Sequence, residues 1–373
     1  MNKMRMGIIR LYCGESGQAN YYNMQELGLA KEYVKNGYVV YIIILKKRNL
    51  KEYYEKVDEN IRFIFPVTFH ILNHGFFSLK VLKRLKLDLV HLNSDNQLFV
   101  PVVLNYCKKN DIEVYNYVGM LFSGARSKGK KLLSDFSTRI NLTYYNRYPT
   151  IAKTDEIRKE MENRGINNIC VVPVGLDIEI IPKNNYSKER LRKNLELPVD
   201  KKMILFIGRM QEEKRPLDIL ELLKNLEDEY ILVMIGDGRL TCIIDEKIRS
   251  LGLSNRVYRI HKIENNKIHK YYLCADFFIN LCRNEPFGMC ILEAMYNRCL
   301  VIAIKAPGPN MLIINGITGF LSDNMDEIKL ILEGPIENKK IMLDRAYEEV
   351  CSKYLWKYSY KKIEEFREEY RMR

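Results

Sequence analysis

The sequence predicts an α/β fold with two Rossmann-like domains in tandem. Short apolar segments alternate with amphipathic segments along the whole chain, which is typical of βαβ units around parallel sheets. The chain has 373 residues, more than one hydrophobic core usually serves. The periodicity lapses after Gly175-Leu176-Asp177 into a polar stretch that contains Pro182. We therefore expect domains at 1–178 and 179–350, followed by a C-terminal helical segment at 351–373.

Each expected element follows from this alternation. The apolar segments predict strands at 7–12, 39–45, 61–65, 87–92, 114–118, 150–153 and 170–173 in the first domain, and at 203–207, 230–235, 257–260, 277–280 and 300–303 in the second. The amphipathic segments predict helices at 21–36, 97–109, 154–164, 214–226, 239–251, 267–273 and 289–298. The tail at 354–370 carries a broken apolar stripe on a charged helix, so it needs a surface to lie on.

Amino-acid composition favours some classes of binding partner but does not identify one. The net charge of +13 favours anionic partners, although lysine is abundant throughout the chain and that alone accounts for the charge equally well. Basic clusters at Lys80–Lys86 and Arg126–Lys131 leave a peripheral membrane contact of the first domain open. The nine cysteines include no Cys-x-x-Cys pair, which favours reduced thiols in a cytoplasm and disfavours a zinc site.

Two glutamates separated by seven residues are the most informative motif. Glu285 precedes the turn Pro286-Phe287-Gly288, and Glu293 lies within an apolar helical segment. A buried carboxylate without a partner would cost several kcal/mol, so we expect Glu293 either to face solvent or to hold a polar ligand. The turn also leaves backbone N–H groups free at a helix N-terminus, where phosphate binds readily. A sugar nucleotide would supply both hydroxyls and phosphates.

Three glycine-containing turns follow predicted strands. Cys13–Gln18 contains Gly14 and Gly17, and either an ordinary βα turn or a phosphate contact fits this segment. Gly208-Arg209 precedes Lys214, and two cations so placed could neutralise a diphosphate or could lie on a solvated loop. The third turn is Gly236-Asp237-Gly238. No Asp-x-Asp motif occurs, so these cations are better candidates than a metal for charge neutralisation.

Taken in order, these segments resemble the retaining glycosyltransferases of family 4. The resemblance rests on Gly208-Arg209 with Lys214, on the glycine turn at 236–238, and above all on the two glutamates and the residues between them. Segments at 88–91, 172–177 and 315–319 extend it over nearly the whole chain. It implies the GT-B fold, in which two Rossmann-like domains face each other across a cleft and a C-terminal helix crosses back to the N-terminal domain.

The resemblance also implies roles for individual residues. Arg209 and Lys214 would bind the donor diphosphate, with Glu285 on the transferred sugar and Glu293 on the ribose. The remaining donor-binding positions would be Gly14, Gly17, Gly208, Gly236, Asp237, Gly238, Ile263, Phe287, Gly288, Met289 and Cys290. The acceptor would lie in the N-terminal domain, the donor would be a nucleotide sugar with UDP favoured, and neither a metal nor a cofactor is expected.

Two departures from the family pattern concern the transferred sugar and the preference for donor or acceptor, and the second could also be neutral. Many relatives carry a histidine after the strand that ends here at Gly119, and this chain has none there, although the backbone of Gly119 could still contact the sugar. Met311 stands where an acidic residue is usual. His91 follows a strand motif and is a second acceptor candidate, with a purely structural role as its alternative.

The expected activity is hexose transfer from the nucleotide sugar to a saccharide or lipid-linked saccharide. Such an enzyme would act in the synthesis of cell-surface polysaccharide or glycoconjugate. It would work in the cytoplasm or at the inner face of the membrane. Three alternatives stay open: a nucleotide-sugar epimerase of similar build, a basic module that binds membrane or nucleic acid, and a catalytically inactive relative. The dispersed tyrosines and the lack of an RNA-binding motif disfavour nucleic acid.

Overall fold

The computed structural model describes residues 3–14, 23–121 and 128–372. These residues form two compact units. The first contains residues 3–14, 24–121, 128–175 and 356–372, and the second contains residues 23 and 176–355. The expected boundary at 178 lies three residues beyond this division, and the chain returns to the first unit at Trp356, later than the expected 351.

The strands in the described residues are numbered in chain order. They are β1 (Arg5–Arg10), β2 (Val39–Ile44), β3 (Tyr53–Lys56), β4 (Ile61–Phe65), β5 (Phe69–Ile71), β6 (His74–Phe76), β7 (Leu89–Asn93), β8 (Glu113–Val118), β9 (Thr150–Ala152), β10 (Ile169–Val171), β11 (Lys202–Ile207), β12 (Tyr230–Ile235), β13 (Val257–Ile260), β14 (Phe277–Asn280), β15 (Leu300–Ile304) and β16 (Phe320–Ser322).

The α-helices in the same residues are numbered in the same way. They are α1 (Gln25–Lys35), α2 (Lys80–Leu85), α3 (Val100–Lys109), α4 (Lys128–Tyr145), α5 (Asp155–Glu162), α6 (Lys188–Asn194), α7 (Pro216–Lys224), α8 (Thr241–Ser250), α9 (Asn265–Cys274), α10 (Met289–Tyr296), α11 (Pro307–Leu312), α12 (Met325–Glu333), α13 (Lys339–Lys353) and α14 (Trp356–Met372). None of the described helices is long and apolar enough to cross a membrane.

The first unit is built on an eight-stranded sheet in the order β10-β9-β8-β7-β1-β2-β4-β3. All neighbouring pairs are parallel except β3 and β4, which pair antiparallel at the edge. Every residue of the central strand β7 is buried, as expected for a parallel strand covered on both faces. A separate antiparallel hairpin, β5–β6, lies beside this sheet. β3, β5 and β6 were not predicted from the sequence.

The second unit contains a six-stranded parallel sheet in the order β13-β12-β11-β14-β15-β16. The order reverses between β11 and β14, which makes the carboxyl ends of these two strands a topological switch point. The core contains buried side chains from β11, β12, β14 and β15, among them Phe206, Leu232, Ile279 and Ile302. The predicted strands of this half lie within one residue of their observed bounds, while β16, α6, α11, α12 and α13 were not expected.

The C-terminal helix α14 belongs to the first unit and packs against α1. Arg367, fully buried, donates two hydrogen bonds to the Glu113 carboxylate on β8, at 2.8 and 2.7 Å. Trp356 lies so close to Gly28 on α1 that a Cβ there would overlap its indole ring. The charged tail therefore lies on the first unit through a buried ion pair as well as through its apolar stripe.

Candidate functional site

An ion pair between Lys214 and Glu285 is the centre of the candidate site in the second unit. Lys214 follows β11 and Glu285 follows β14, so both lie at the switch-point edge of the sheet. The Lys214 Nζ is 2.5 Å from Oε2 of Glu285. Burial alone would lower the pKa of Lys214, because it disfavours the charged ammonium. The facing Glu285 carboxylate outweighs this effect and raises the pKa of Lys214 above its usual value. The site therefore holds a charged ammonium beside a largely buried carboxylate.

The glycine turns at the ends of β11 and β12 pack against each other. Gly236 has φ +135, and a Cβ there would overlap the carbonyl oxygen of Gly208. A Cβ on Gly238 would meet the backbone of Met210. Hydrogen bonds from Gly208 N to Ile235 O and from Met210 N to Asp237 O join the two turns. These glycines are therefore required by backbone packing at this edge, whatever ligand approaches it.

The two polar residues of these turns differ in how they are held. The Asp237 carboxylate accepts hydrogen bonds from the Gly238 amide and the Thr241 hydroxyl, which hold the pKa of Asp237 below its ordinary value. Arg209 is exposed, and its guanidinium has no hydrogen-bond or ion-pair partner among the residues that the structure describes. Asp237 thus stabilises its own turn, whereas Arg209 is free to meet an anion.

The N-terminus of α10 lies beside the ion pair. Gly288, at φ +101, is the residue before the helix, and a Cβ there would contact the Glu285 side chain. Its carbonyl accepts hydrogen bonds from the amides of Ile291 and Leu292, so the amides of Met289 and Cys290 precede the helical hydrogen-bond ladder. Free amides at a helix N-terminus are able to bind an anion. Phe287 is buried beneath this turn.

Glu293 is buried, and its own chain supplies its partners. Asn265 Nδ2 donates to Oε1 at 3.0 Å and the Tyr272 hydroxyl donates to Oε2 at 2.9 Å, both from α9. Burial nevertheless raises the pKa of Glu293. From the sequence we expected solvent or a polar ligand as the partner of Glu293, and not these two side chains of α9. Each carboxylate oxygen keeps a second lone pair, so a ribose hydroxyl could still donate to Glu293.

Asn280 is a site residue that the sequence analysis missed. It ends β14, and its Nδ2 lies 3.5 Å from Oε2 of Glu285 while its Oδ1 accepts a hydrogen bond from the Cys282 amide. A polar residue at the carboxyl end of an apolar strand at the switch point was the available signal. Asn265 and Tyr272 gave no such signal, because their role depends on how α9 packs against α10.

The structure therefore brings together Gly208, Lys214, Glu285 and Gly288, with the turn at 236–238 packed against Gly208. Ile263 lies half-buried between β13 and α9, at the same edge of the sheet. No group of three or more His, Cys, Asp or Glu side chains in the described residues is placed to hold a metal ion.

The candidate residues of the first unit also lie at the carboxyl edge of its sheet. Asp95, after β7, accepts hydrogen bonds from the amides of Gly119 and Met120 at 2.7 and 3.2 Å. A Cβ on Gly119 would contact the side chain of Lys153, which follows β9. Asp95 and Lys153 were not predicted, although each lies within two residues of the end of a strand. Gly14 lies after β1, and Gly17 lies outside the described residues.

His91 lies inside the sheet, on β7. Its Nδ1 is 2.9 Å from the Tyr115 hydroxyl and its Nε2 is 3.3 Å from Oδ1 of Asn93. Burial lowers the pKa of His91 to about 3, so the ring is neutral at physiological pH. Both ring nitrogens have partners within the chain, which fits the structural alternative rather than a contact with the acceptor.

A cavity of about 450 Å³ lies in the first unit, away from all these residues. Its lining is strongly basic and includes Arg5, Lys56, Arg62 and Arg84 with Tyr41 and Tyr54. Tyr41, Arg62 and Lys56 are cross-strand neighbours on β2, β4 and β3. None of the predicted site residues lines it, so the cavity and the candidate site are separate features.

Comparison with known protein families gives a match in the second half of the chain. Residues 187–348 match the sequence profile of the family Glycosyl transferases group 1. They form a Glycosyl transferases group 1 domain. This group 1 domain contains Arg209, Lys214, Glu285 and Glu293, and it lies within the second unit.

Curated relatives extend the similarity. A D-inositol 3-phosphate glycosyltransferase of Xylanimonas cellulosilytica is 30% identical over 171 residues, which are 44% of this chain and 41% of that protein. The chain thus matches about two fifths of the length of this relative. The alpha-monoglucosyldiacylglycerol synthase of Streptococcus pneumoniae is 24% identical over 351 residues, 86% of this chain and 77% of that protein.

Solved structures show the fold of the chain. The structure of Alr3699/HepE from Anabaena, in complex with UDP and glucose, matches with a TM-score of 0.75 and 19% identity over 97% of this chain and 98% of that one. This similarity confirms the predicted α/β GT-B fold, with parallel sheets in both units.

Proposed function

We propose that the chain is a retaining glycosyltransferase of family 4 that transfers a hexose from a nucleotide sugar. UDP is the favoured nucleotide, and a saccharide or lipid-linked saccharide is the acceptor. The observation that carries the proposal is the Lys214–Glu285 ion pair beside the N-terminus of α10, inside a Glycosyl transferases group 1 domain. A structural neighbour binds UDP and glucose, and the names of two relatives include an inositol phosphate and a diacylglycerol, which support the donor and acceptor classes.

The geometry supplies what departure of a nucleoside diphosphate requires. Breaking the glycosidic phosphate bond leaves negative charge on the diphosphate and an oxocarbenium-like sugar. Lys214 and the exposed Arg209 can stabilise the departing phosphates, and the free amides of Met289 and Cys290 can bind a phosphate oxygen. Glu285, already desolvated, can accept hydrogen bonds from hydroxyls of the transferred sugar. The cations thus stabilise the leaving group while the carboxylates position the substrate.

Three further parts of the proposal rest on the resemblance and on the sequence. Retention of the anomeric configuration comes from family 4, whose paired glutamates this chain shares. Metal independence follows from Lys214 and Arg209, which take the place of the absent Asp-x-Asp motif. We place the reaction on the cytoplasmic side of the membrane, in cell-surface polysaccharide or glycoconjugate synthesis, because the nine cysteines show no disulfide pattern and nucleotide sugars are cytoplasmic metabolites.

A substitution at Glu285 tests the proposal. Glu285→Gln keeps the shape but removes the charge that faces Lys214, so transfer from a UDP-hexose should fall about a hundredfold or more while the fold is kept. The donor is first chosen by a thermal-shift screen of UDP-, GDP- and ADP-sugars, and product formation is then followed by mass spectrometry. Glu333→Gln, in an exposed pair with Lys329, is the matched control and should transfer normally. Near-normal turnover by Glu285→Gln would refute the assignment.

The same assay separates the remaining alternatives. Proton NMR of the product should show the anomeric configuration of the donor, and an inverted product would contradict retention. Activity should persist in EDTA, and a loss that a divalent ion restores would contradict metal independence. Conversion of the donor to its epimer without transfer would favour the epimerase.

A further inference from the structure

The first unit carries an exposed apolar hairpin. We name it the apolar hairpin and define it as Val67 with β5, β6 and the turn between them. Phe69 is 74% exposed and Ile71 is 55% exposed, while Val67 and Leu72 are also exposed. Phe69 and Ile71 are two residues apart on β5, so they share one side of the strand. A contiguous exposed apolar patch on a protein surface marks an interaction site.

The turn of this hairpin places a large apolar residue under backbone strain. Leu72 has φ +56, a conformation that bulky residues rarely adopt. Glycine, asparagine and aspartate are the usual residues at such hairpin turns. Leu72 is thus held in a strained backbone conformation while its side chain remains exposed. Burial of this side chain within the folded chain therefore does not offset the strain. Its exposure at the tip adds a second observation that this hairpin contacts an apolar surface.

Hydrogen bonds fix the apolar hairpin at the carboxyl edge of the sheet in the first unit. The amide of Cys13 donates to Asn73 O, and the amide of Gly75 donates to Leu11 O. Leu11 and Cys13 lie in the short segment between β1 and Gly14. The hairpin is therefore attached to the segment from which the predicted glycine turn begins, and it belongs to the edge of the sheet that carries Asp95 and Gly119.

A strongly basic loop lies against the same hairpin. We name residues 46–51 the cationic loop, because Lys46, Lys47, Arg48 and Lys51 are all exposed. Asn49 in this loop accepts a hydrogen bond from the Thr68 amide and donates to Pro66 O. Leu50 is 85% exposed, and residues 46–51 and 66–78 contain no aspartate or glutamate. Apolar and cationic side chains therefore lie together without a carboxylate in either segment.

We propose that the apolar hairpin and the cationic loop dock on a bilayer that contains anionic lipids. Exposed apolar side chains beside lysine and arginine have the composition of interfacial membrane contacts, in which the apolar groups enter the headgroup boundary and the cations face anionic headgroups. The surface lies on different residues from the basic clusters at 80–86 and 126–131. It deepens the proposed function and rests on it in one respect: docking would bring a lipid-linked acceptor to the edge that carries Gly14 and Gly119.

A second exposed apolar pair in the first unit provides a matched control. Leu132 and Phe136, on α4, are 73% and 56% exposed, almost the same fractions as Phe69 and Ile71. Asp135 lies between them in sequence, and no positive φ is found there. We therefore favour the hairpin for anionic lipid and use the α4 pair to measure what loss of apolar surface does on its own.

Vesicle sedimentation with the full chain tests the apolar part. Wild type should bind phosphatidylcholine vesicles that contain phosphatidylglycerol, and it should bind pure phosphatidylcholine weakly. Phe69→Ser with Ile71→Ser should reduce binding to the mixed vesicles roughly tenfold or more, because two interfacial apolar groups are lost. Leu132→Ser with Phe136→Ser should bind as wild type. Absence of wild-type binding to mixed vesicles, or equal losses in both double variants, would overturn the proposal.

A pair of charge variants tests the cationic part. Lys47→Gln with Lys51→Gln removes two charges from the cationic loop, and Lys56→Gln with Arg62→Gln removes two from the basic cavity on β3 and β4. The first variant should weaken binding to mixed vesicles severalfold more than the second. Equal effects would mean that net charge alone drives binding, which contradicts a local docking surface. A greater loss in the second would assign anion binding to the cavity instead.

A fluorescence measurement tests contact with the bilayer itself. The chain has one tryptophan, Trp356, which is buried, so Phe69→Trp adds a reporter at the hairpin. Mixed vesicles should shift its emission to the blue, and inorganic phosphate should not. No shift with vesicles that bind the protein would exclude the hairpin from the contact and leave a protein partner as the remaining occupant.

The outcomes are distinguishable from those of the proposed function. Glu285→Gln should lose transfer but bind vesicles as wild type. The Phe69→Ser, Ile71→Ser variant should keep its affinity for UDP, measured by calorimetry without lipid. A wild type that binds mixed vesicles but transfers no sugar would refute the enzyme assignment and leave the docking surface intact.

Discussion

Lys214 and Glu285 show how the site balances two opposing demands. A lysine that is partly buried loses hydration, and an isolated one would tend to deprotonate. The facing carboxylate at 2.5 Å keeps it charged, so the cation is ready when a diphosphate arrives. The same carboxylate remains close enough to Gly288 to contact whatever occupies the helix N-terminus. In the function that we propose, this one ion pair supplies both a cation for the phosphates and an acceptor for sugar hydroxyls.

Lys214→Ala should weaken UDP binding by about tenfold or more, because a charge-assisted contact to phosphate is lost. Isothermal calorimetry with UDP measures this directly. Lys224→Ala, on the exposed part of α7, is the control with the same loss of charge and should bind UDP normally. Unchanged UDP affinity in Lys214→Ala would remove this lysine from the donor site.

His91 should make stability depend on pH. Its folded pKa of about 3 lies below the ordinary value of about 6.5, so the unfolded chain binds more protons. Its contribution is therefore fully present above pH 6.5 and is lost as pH falls toward 3, by at most about 1.4 kcal/mol per pH unit.

His91→Gln should flatten the pH dependence of the free energy of unfolding over this range, measured by urea denaturation between pH 7 and pH 4. His70→Gln, at an exposed position, is the control and should keep the wild-type slope. Identical slopes in wild type and His91→Gln would mean that the ring is not held neutral by the fold.

At the scale of the elements, the turns after β11 and β12 pack tightly against each other. The close approach of Gly236 to Gly208 fixes the backbone from which Arg209 projects, because Arg209 follows Gly208 directly. The same two strand ends carry the glycine turns that the resemblance assigned to the donor. Their glycines are explained by packing, and a phosphate contact there would be an additional use of an edge that is already tightly constrained.

Gly236→Ala should destabilise the second unit by about 2 kcal/mol or more, since the new Cβ overlaps backbone and the φ is unfavourable. Gly252→Ala is the control: its φ is also positive, but nothing lies within 4 Å, so only about 1 kcal/mol of backbone strain is expected. Thermal unfolding of both variants gives the comparison. Equal destabilisation would show that the close packing of the two turns contributes nothing.

The elements also show where sequence periodicity is informative. β12 and β14 were predicted at their observed bounds, because buried parallel strands are continuous apolar runs bounded by polar residues. β3 was missed because it is an exposed edge strand held by pairing with β4 rather than by an apolar face. α4 was missed because Leu132 and Phe136 are exposed, which breaks the amphipathic pattern.

At the scale of the whole molecule, the first unit depends on a segment from the far end of the chain. Arg367 on α14 reaches Glu113 on β8, and the Tyr33 hydroxyl on α1 donates to Glu364 at 2.7 Å. Ser359 donates to Pro173 O. These hydrogen bonds join residues 186 to 331 positions apart, so the first unit is complete only when the last helix has formed.

Arg367→Met should destabilise the first unit by about 2 kcal/mol or more, because Glu113 loses its buried partner. The urea concentration at which the first unit unfolds should fall. The affinity for UDP should be unchanged, because we propose that the second unit binds UDP. Lys361→Met, in an exposed pair on the same helix, is the control and should have little effect. A loss of UDP binding in Arg367→Met under native conditions would contradict this division of roles.

The sequence by itself determined the alternation of strands and helices, the glycines, and the spacing of the two glutamates, because these are local properties of consecutive residues. The tertiary structure decided which groups meet. Glu293 has its partners 28 and 21 residues away on α9, His91 meets Tyr115 on the neighbouring strand, and the apolar hairpin is left exposed beside a basic loop. Hydrogen-bond partners and exposure depend on which elements pack together, and no local pattern encodes that.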